Sequence, residues 1–341
     1  NIEETVKILA DLFCTGDLTH EGRMRELILE KKNDLQSAVI PSGHLFARRS
    51  AAAGLNLAAW RDEQWHGRSQ LRFINRIAGR LPDGRGELVD ILTKLRQLVF
   101  SRERLTPNLT SDPEGLRLMR ASLGELVDRL PRGEATEGRS EPTLVPAGLA
   151  LSLPSQVSYV AQAMTAPTYD DSRAPYLTII SRFLSGGYLY KHIRVQGGAY
   201  GAMCQYDQLN GVFAFLSYRD PHILETMEVY RRAGDYICRQ ALSPEDLDKA
   251  IIGAIAGIDR PMDPAGRGYA ALIRRFSGLK DPDRDLFRRQ ILGATPQDLQ
   301  EAAASYFPGA LTAGTIAVYG NEEQLKGASE KLTNLTFESL L

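Results

Sequence analysis

The chain repeats the order of its own elements, and that constrains its fold more than any single motif does. Asp11-Leu-Phe-Cys14 returns 224 positions later as Asp235-Tyr-Ile-Cys238, and Leu18-Thr-His-Glu21 returns as Leu242-Ser-Pro-Glu245. Glu4 and Lys7 fall on Glu228 and Arg231 at the same offset, without a gap. Near the other end, Leu105–Leu116 resembles Thr315–Leu325 at an offset of 209. Both copies read helix, capped helix, further helices, strand, helix. A chain of 341 residues has room for about two domains.

The two copies are unequal. Asn1 corresponds to Glu225, so residues 147–224 of the second copy have no counterpart in the first. One short strand under a layer of helices would leave an apolar sheet face open to water. The expectation is therefore an α+β chain of two related domains, with the first truncated at its N-terminus. Residues 1–130 would be the mostly helical remainder of a domain cut from a longer polypeptide. Residues 131–146, polar and rich in Gly and Pro, read as a linker. Residues 147–341 would be a complete α+β domain. A free-standing helical N-terminal domain, alike by accident, is the alternative.

Apolar periodicity predicts helices over 2–14 and from Thr19, taken as an N-cap, to about Val39. Pro41-Ser-Gly43 breaks that run, and more helices follow over 44–60, 64–79 and 87–100. Leu105–Thr110 is strand-like, with Pro107 restricting it to an edge. Ser111-Asp-Pro113 opens a helix to about Leu130. Strands are expected at 147–152, 157–163, 200–206, 212–218 and 312–319. Helices are expected at 175–189, 221–239, from Ser243, and at 265–277, 285–292, 296–306 and 322–332.

Tyr188-Leu-Tyr-Lys-His-Ile-Arg194-Val-Gln-Gly197-Gly198-Ala199-Tyr200-Gly201 carries the most distinctive chemistry. Arg194 and Tyr200 lie six residues apart across a glycine pair. Arginine brings a rigid five-donor fork, and tyrosine a flat body with one hydroxyl. Glycines between them let backbone approach another chain closely. The set suits gripping an extended peptide, and it contains neither a nucleophile nor a metal ligand set. Its bland reading is a helix-to-strand turn with a solvated arginine.

Lys plus Arg number 41 and Asp plus Glu 42, which gives nucleic acid or an anionic membrane no special claim as partner. No apolar run approaches the ~18 residues of a membrane span. Cys14, Cys204 and Cys238 form no CxxC pair and fit a reducing compartment, taken as cytoplasmic, with an organelle open to a eukaryotic chain. The histidines are His20, His44, His66, His192 and His222, and no two lie within five residues of each other. Neither H-E-x-x-H nor H-x-x-E-H is therefore present, and no G-x-S-x-G elbow or phosphate loop either. Gly266-Arg-Gly-Tyr-Ala-Ala fits a loose dinucleotide pattern but follows no strand. His192 reads as a surface histidine and Cys204 as a small core residue.

The segment from Tyr188 to Gly201, followed by two strands and Ser217-Tyr-Arg-Asp-Pro221, resembles the last domain of the pitrilysin/insulinase-type (inverzincin) zinc metallopeptidases, in their presequence-protease branch. Pro41-Ser-Gly-His-Leu-Phe-Ala47 resembles that branch's penultimate domain. The likeness runs over nearly the whole chain and is most specific at 186–221 and 18–60. It implies four related α+β domains in two halves closing around a peptide, with the zinc motif in the first domain. The zinc would then be held by the N-terminal half, with no metal site in this chain. Arg194 and Tyr200 would be auxiliary catalytic residues that bind substrate and the developing oxyanion. Gly197, Gly198 and Ala199 would be substrate-binding backbone between them, and Arg219 a further candidate for the chamber lining. The implied partners are an unfolded peptide and the N-terminal half of the same polypeptide. Rival readings are a non-catalytic processing-peptidase-like subunit and a peptide-binding scaffold module.

Overall fold

Near-continuous burial along four strands decides the architecture, because it requires cover on both faces of a sheet. The computed structural model describes residues 2–81, 85–133, 145–239, 242–332 and 335–340. The expected Pro82–Gly84 turn and most of the expected linker, 134–144, lie outside the described residues. The chain divides into two compact units, one of residues 1–33, 74–140 and 261–280, the other of 34–73, 141–260 and 281–341.

The first unit is helical, with no strand among its described residues. It contains α1 (Ile2–Cys14), the first part of α2 (Glu21–Val39), the end of α5 (Arg68–Arg80), α6 (Arg85–Val99), α7 (Pro113–Arg129) and α11 (Pro264–Phe276). Ala10, Leu126 and Leu130 form its small core, beside Phe13 and Phe100, whose rings stack at 4.5 Å. Two details differ from the sequence reading. Leu105–Thr110 pairs with no strand; it follows a tight turn at Arg102–Arg104, and Pro107 has no N–H to offer a neighbour. Thr19 does not cap α2: its N–H and hydroxyl both bond Asp17, and His20 Nδ1 accepts the Arg23 N–H at 3.1 Å instead. Asp112 does cap α7, accepting the Gly115 N–H at 2.7 Å with Pro113 in the first turn.

The second unit is built on one six-stranded sheet of order β3-β4-β2-β5-β1-β6. Its strands are β1 (Gly148–Ser152), β2 (Tyr159–Thr165), β3 (Gly201–Asp207), β4 (Val212–Tyr218), β5 (Thr315–Gly320) and β6 (Thr336–Ser339). Strand β1 runs parallel to β5 and β6; the pairs β2–β4, β2–β5 and β3–β4 are antiparallel. Successive side chains point to opposite faces, so each central strand feeds two cores. Val160, Met164, Phe213, Phe215 and Val318 face one core. Helices α8 (Ala174–Phe183), α9 (Leu224–Arg239), α10 (Pro244–Ile258), α12 (Asp281–Leu292), α13 (Pro296–Ala313) and α14 (Glu322–Ser329) bury it. Ser243 caps α10, and Thr295 with Asp298 forms a capping box on α13, as their sequences predict.

Tyr159, Ala161, Ala163, Ala214, Leu216, Ala317 and Tyr319 face the other way. Helix α3 (Gly43–Ala52) covers them with Phe46, Ala47, Ala51 and Ala52, beside α4 (Leu57–His66). Alanines on both sides let the helix lie close to the sheet. The contact is also polar at chosen points. Ser50 Oγ and the Tyr319 hydroxyl are 2.9 Å apart, and Tyr159 donates to the Ile40 carbonyl at 2.5 Å. Gly43 makes this approach possible, because a Cβ there would sit 2.6 Å from the Tyr159 ring.

Strand β6 is not evident in the sequence. It has four residues, and Phe337 is 47% exposed, so its own pattern does not announce a strand. Beyond its pairing with β1 and the buried Leu340 at its end, charge fastens it: Glu338 pairs with Arg68 and, at 2.7 Å, with Arg72, while Arg72 also donates to the Ser339 carbonyl at 2.8 Å.

Candidate functional site

Arg194 and Tyr200 stand at the end of an unusually wound helix. Helix α8 continues without a break into a π-helical segment, Leu184–Gln196, which carries the helix past the expected end at Leu189. Wide π turns are rare and concentrate at functional sites. Leu184, Tyr188, Leu189 and Ile193 are buried and fix the inward face. Tyr190 and Arg194, four apart, are left on the outward face, and the Arg194 guanidinium lies 5.4 Å from the Tyr190 ring centre.

The glycine pair ends this helix. Gly198 adopts φ +77°, a conformation that a side chain disfavours. A Cβ on Gly197 would lie 2.7 Å from the Ile193 carbonyl oxygen. The Gly198 N–H donates to the Arg194 carbonyl and the Ala199 N–H to the Ile193 carbonyl, both at 3.1 Å. The Gly197 N–H also turns back to Arg194. The donors of the Gly197–Ala199 backbone are thus spent on the helix end. Ala199 is buried, and Tyr200 swings outward again with 65% of its surface exposed.

A second turn meets this one. The Tyr200 N–H donates to the Arg219 carbonyl at 3.3 Å, and Arg219 has φ +50°. A non-glycine residue in that region is uncommon and needs support from its surroundings. Asp220 supplies it. Its backbone exchanges two 2.8 Å hydrogen bonds with Ser158, and its carboxylate accepts the His222 N–H at 2.9 Å and the Thr226 hydroxyl at 2.6 Å. Burial pushes the Asp220 carboxyl above its ordinary range, although those donors oppose the shift.

The side chains make one layered row. Arg194 lies 5.7 Å from the centre of the Tyr200 ring. Tyr200 meets Tyr218 edge-on, with centroids 5.6 Å apart. Arg219 caps the Tyr218 ring at 5.5 Å, and His44 packs against it at 4.7 Å. Tyr159 stands 5.9 Å from Tyr218; burial raises its phenol pKa, and the nearby Arg219 charge opposes that rise. Among the described residues no acidic side chain pairs with Arg194. The row therefore ends in an exposed guanidinium and an exposed phenol, both able to donate.

The structure brings together the two residues singled out in the sequence. Tyr218, Tyr190 and His44 were not assigned a site role there. Tyr190 had a readable signal, its spacing of four from Arg194 on one helix face. His44 and Tyr218 lie in two phrases that carry the resemblance, but nothing in the sequence joins them, because their contact spans 174 positions.

Two family models match the chain. A model for a peptidase-associated region of family M16, subfamily C, covers residues 1–77, and the PreP C-terminal domain covers 149–307. Presequence protease 1, chloroplastic/mitochondrial, of Arabidopsis thaliana is 30% identical over 84% of this chain and 26% of its own length. The mitochondrial presequence protease of Aspergillus fumigatus is 32% identical over 90% of this chain and 29% of its own length. The chain belongs to the presequence-protease branch of the pitrilysin-type M16 peptidase family. It spans about 26–29% of the length of these M16 relatives. The fold agrees: pitrilysin superposes with a TM-score of 0.65 at 15% identity, over 99% of this chain and 35% of that one. A Helicobacter pylori protease does so at 0.61 and 14% identity, over 94% of this chain and 77% of that one.

M16 metallopeptidases are zinc enzymes in general, and the described residues of this chain do not fit a zinc site. Among the described residues no three His, Cys, Asp or Glu side chains converge. His66 bonds Asp62 at 2.9 Å, His192 bonds Gln196 at 2.8 Å, and His20 caps α2. Cys204 is no ligand candidate either. It is buried, its Sγ donates to the Ser181 carbonyl at 3.0 Å, and burial pushes its thiol up to about 12. Its N–H donates to Ser185 Oγ at 2.9 Å, so the middle of edge strand β3 is tied to the helix before it.

Proposed function

We infer that this chain is the substrate-gripping, C-terminal part of a peptidase that degrades short unfolded peptides. The observation that carries this reading is the exposed Arg194–Tyr200 pair, 5.7 Å apart on a braced turn and without an acidic partner. Arg194 would donate to a carbonyl of the bound peptide. Tyr200 would donate to the scissile carbonyl oxygen as negative charge builds on it, which is most effective when the donor is held in place beforehand. Gly197 and Gly198 would let the peptide pass close, with no side-chain bulk, while the buried Ala199 would hold the turn rather than touch the peptide. Zinc and the attacking water would be held by residues outside this chain, in an N-terminal half that closes a chamber with it. On this reading residues 1–130 belong to a third domain and 147–341 to a fourth.

The test is hydrolysis of a fluorogenic unfolded peptide by the whole protein. Arg194→Ala should lower kcat/KM, and Tyr200→Phe should lower kcat by roughly 10²-fold, the cost of one oxyanion donor. Rates unchanged in both variants would sink the reading. This chain alone should cleave nothing; cleavage by it would mean a catalytic centre among its own residues.

A further inference from the structure

We propose that Tyr218 is a positioning residue for that site, aiming the Tyr200 hydroxyl through edge-on ring contact. This rests on the functional reading above. Tyr200 is mostly exposed, and a ring so placed would normally sample several rotamers. Here it has two neighbours, the Arg194 guanidinium at 5.7 Å and the nearly perpendicular Tyr218 ring at 5.6 Å. Edge-to-face contact adds attraction beyond the area the rings bury, and so favours one rotamer over the rest.

Tyr218 is itself fixed more firmly than a strand-end tyrosine needs to be. His44 packs on it from the start of α3, Arg219 covers it at 5.5 Å, and the buried Tyr159 flanks it. Tyr159 and the backbone of Arg219 are anchored. Tyr159 is bonded to Ile40, Gly43 rests on the Tyr159 ring, and Arg219 is held by the Asp220–Ser158 pair and by the Tyr200 N–H. The Pro41-Ser-Gly43-His44 turn thereby acquires a task at a distance. It braces Tyr218, and Tyr218 sets Tyr200. A purely structural Tyr218 would need none of the contact with Tyr200.

The experiment is a double-mutant cycle in the whole protein, with peptide hydrolysis and thermal melting as readouts. Tyr218→Leu should lower kcat/KM roughly tenfold, mainly through kcat, while Tyr218→Phe, which keeps the ring, restores it to within about twofold. In a Tyr200→Phe background the hydroxyl to be aimed is gone, and Tyr218→Leu should then cost less than about threefold. An equal loss in both backgrounds would mean general damage and overturn the proposal. Tyr218→Leu at wild-type rate, beside an impaired Tyr200→Phe, would overturn the positioning role alone. A Tyr200→Phe protein with normal kcat would remove the functional reading and this proposal with it. If Tyr218→Leu fails to fold, Arg219→Gln takes its place, since Arg219 is exposed and its loss uncovers the Tyr218 ring. It should lower kcat severalfold, again only while the Tyr200 hydroxyl is present, and the same two contrary outcomes apply.

Discussion

Gly43 lies flat on the Tyr159 ring, so close that a Cβ would stand 2.6 Å from its nearest carbons. Tyr159 is completely buried and its hydroxyl is bonded to the Ile40 carbonyl, so neither partner can step back. Gly43→Ala should therefore lift the start of α3 and cost about 1–3 kcal/mol, the range for overpacking a core. Urea unfolding would measure it. A variant as stable as the parent would show that α3 can slide on the sheet.

Asp220 should respond to charge more than to shape. Its folded-state pKa is raised by burial, so the ionised form is the disfavoured one. The sign follows: its contribution to stability is full below the unfolded value of about 4 and is lost as pH rises through the folded value. Asp220→Asn keeps an acceptor for the His222 N–H and removes the charge. Relative to the parent it should gain stability between about pH 4 and neutrality. Asp220→Ala leaves the Thr226 hydroxyl and the His222 N–H without a partner and should cost about 2–4 kcal/mol. Denaturation at a series of pH values separates the two; a parallel loss in both variants would contradict this account.

Glu338 should show the opposite sign. Burial alone would raise its carboxyl, but the Arg72 and Arg68 charges outweigh that and hold it below the usual range. Its stabilisation is present above the unfolded value of about 4 and is lost as pH falls through the folded one. Glu338→Gln should cost about 1–2 kcal/mol at neutral pH and nothing at acid pH. Amide exchange of β1 and β6 would report it, because β6 has β1 as its paired neighbour.

Cys204 should resist alkylation. Its thiol is buried and raised to about 12, so thiolate is scarce at mildly alkaline pH. Native protein treated with iodoacetamide should remain unmodified at Cys204 and react there after unfolding, as peptide mapping would reveal. Rapid native labelling would place the Ser181–Ser185–Cys204 cluster in an opening segment.

Much of the sheet was legible because β2 and β4 are apolar runs and Asp207 to Gly211 reads as the turn that joins β3 to β4. The face they turn toward α3 was not. An alanine-rich helix such as 43–52 shows that it packs closely on something, without showing on what. Arg194 and Tyr200 were legible as donors at a fixed spacing across two glycines. The winding that carries Arg194 was not, because Leu184–Gln196 has the composition of an ordinary helix end, and the apolar residues it buries, Tyr188, Leu189 and Ile193, mark a face rather than a pitch. Tyr218 looked like any strand-terminal tyrosine, and only the fold brings His44 to it.

The hydrogen bond between Ser50 and Tyr319 joins residues 269 positions apart. On a ribosome adding about 5–20 residues per second, Ser50 is made roughly 15–50 s before its partner exists. Until β5 emerges, the alanine face of α3 has no sheet strand at the Tyr319 position to settle on. Assembly of this unit is therefore a late event, gated by the synthesis of β5. In that interval β2 and β4 can meet α3 but the strand under Ser50 is missing, so nascent-chain chaperones should engage residues 43–52 longer than the helices that close on near neighbours.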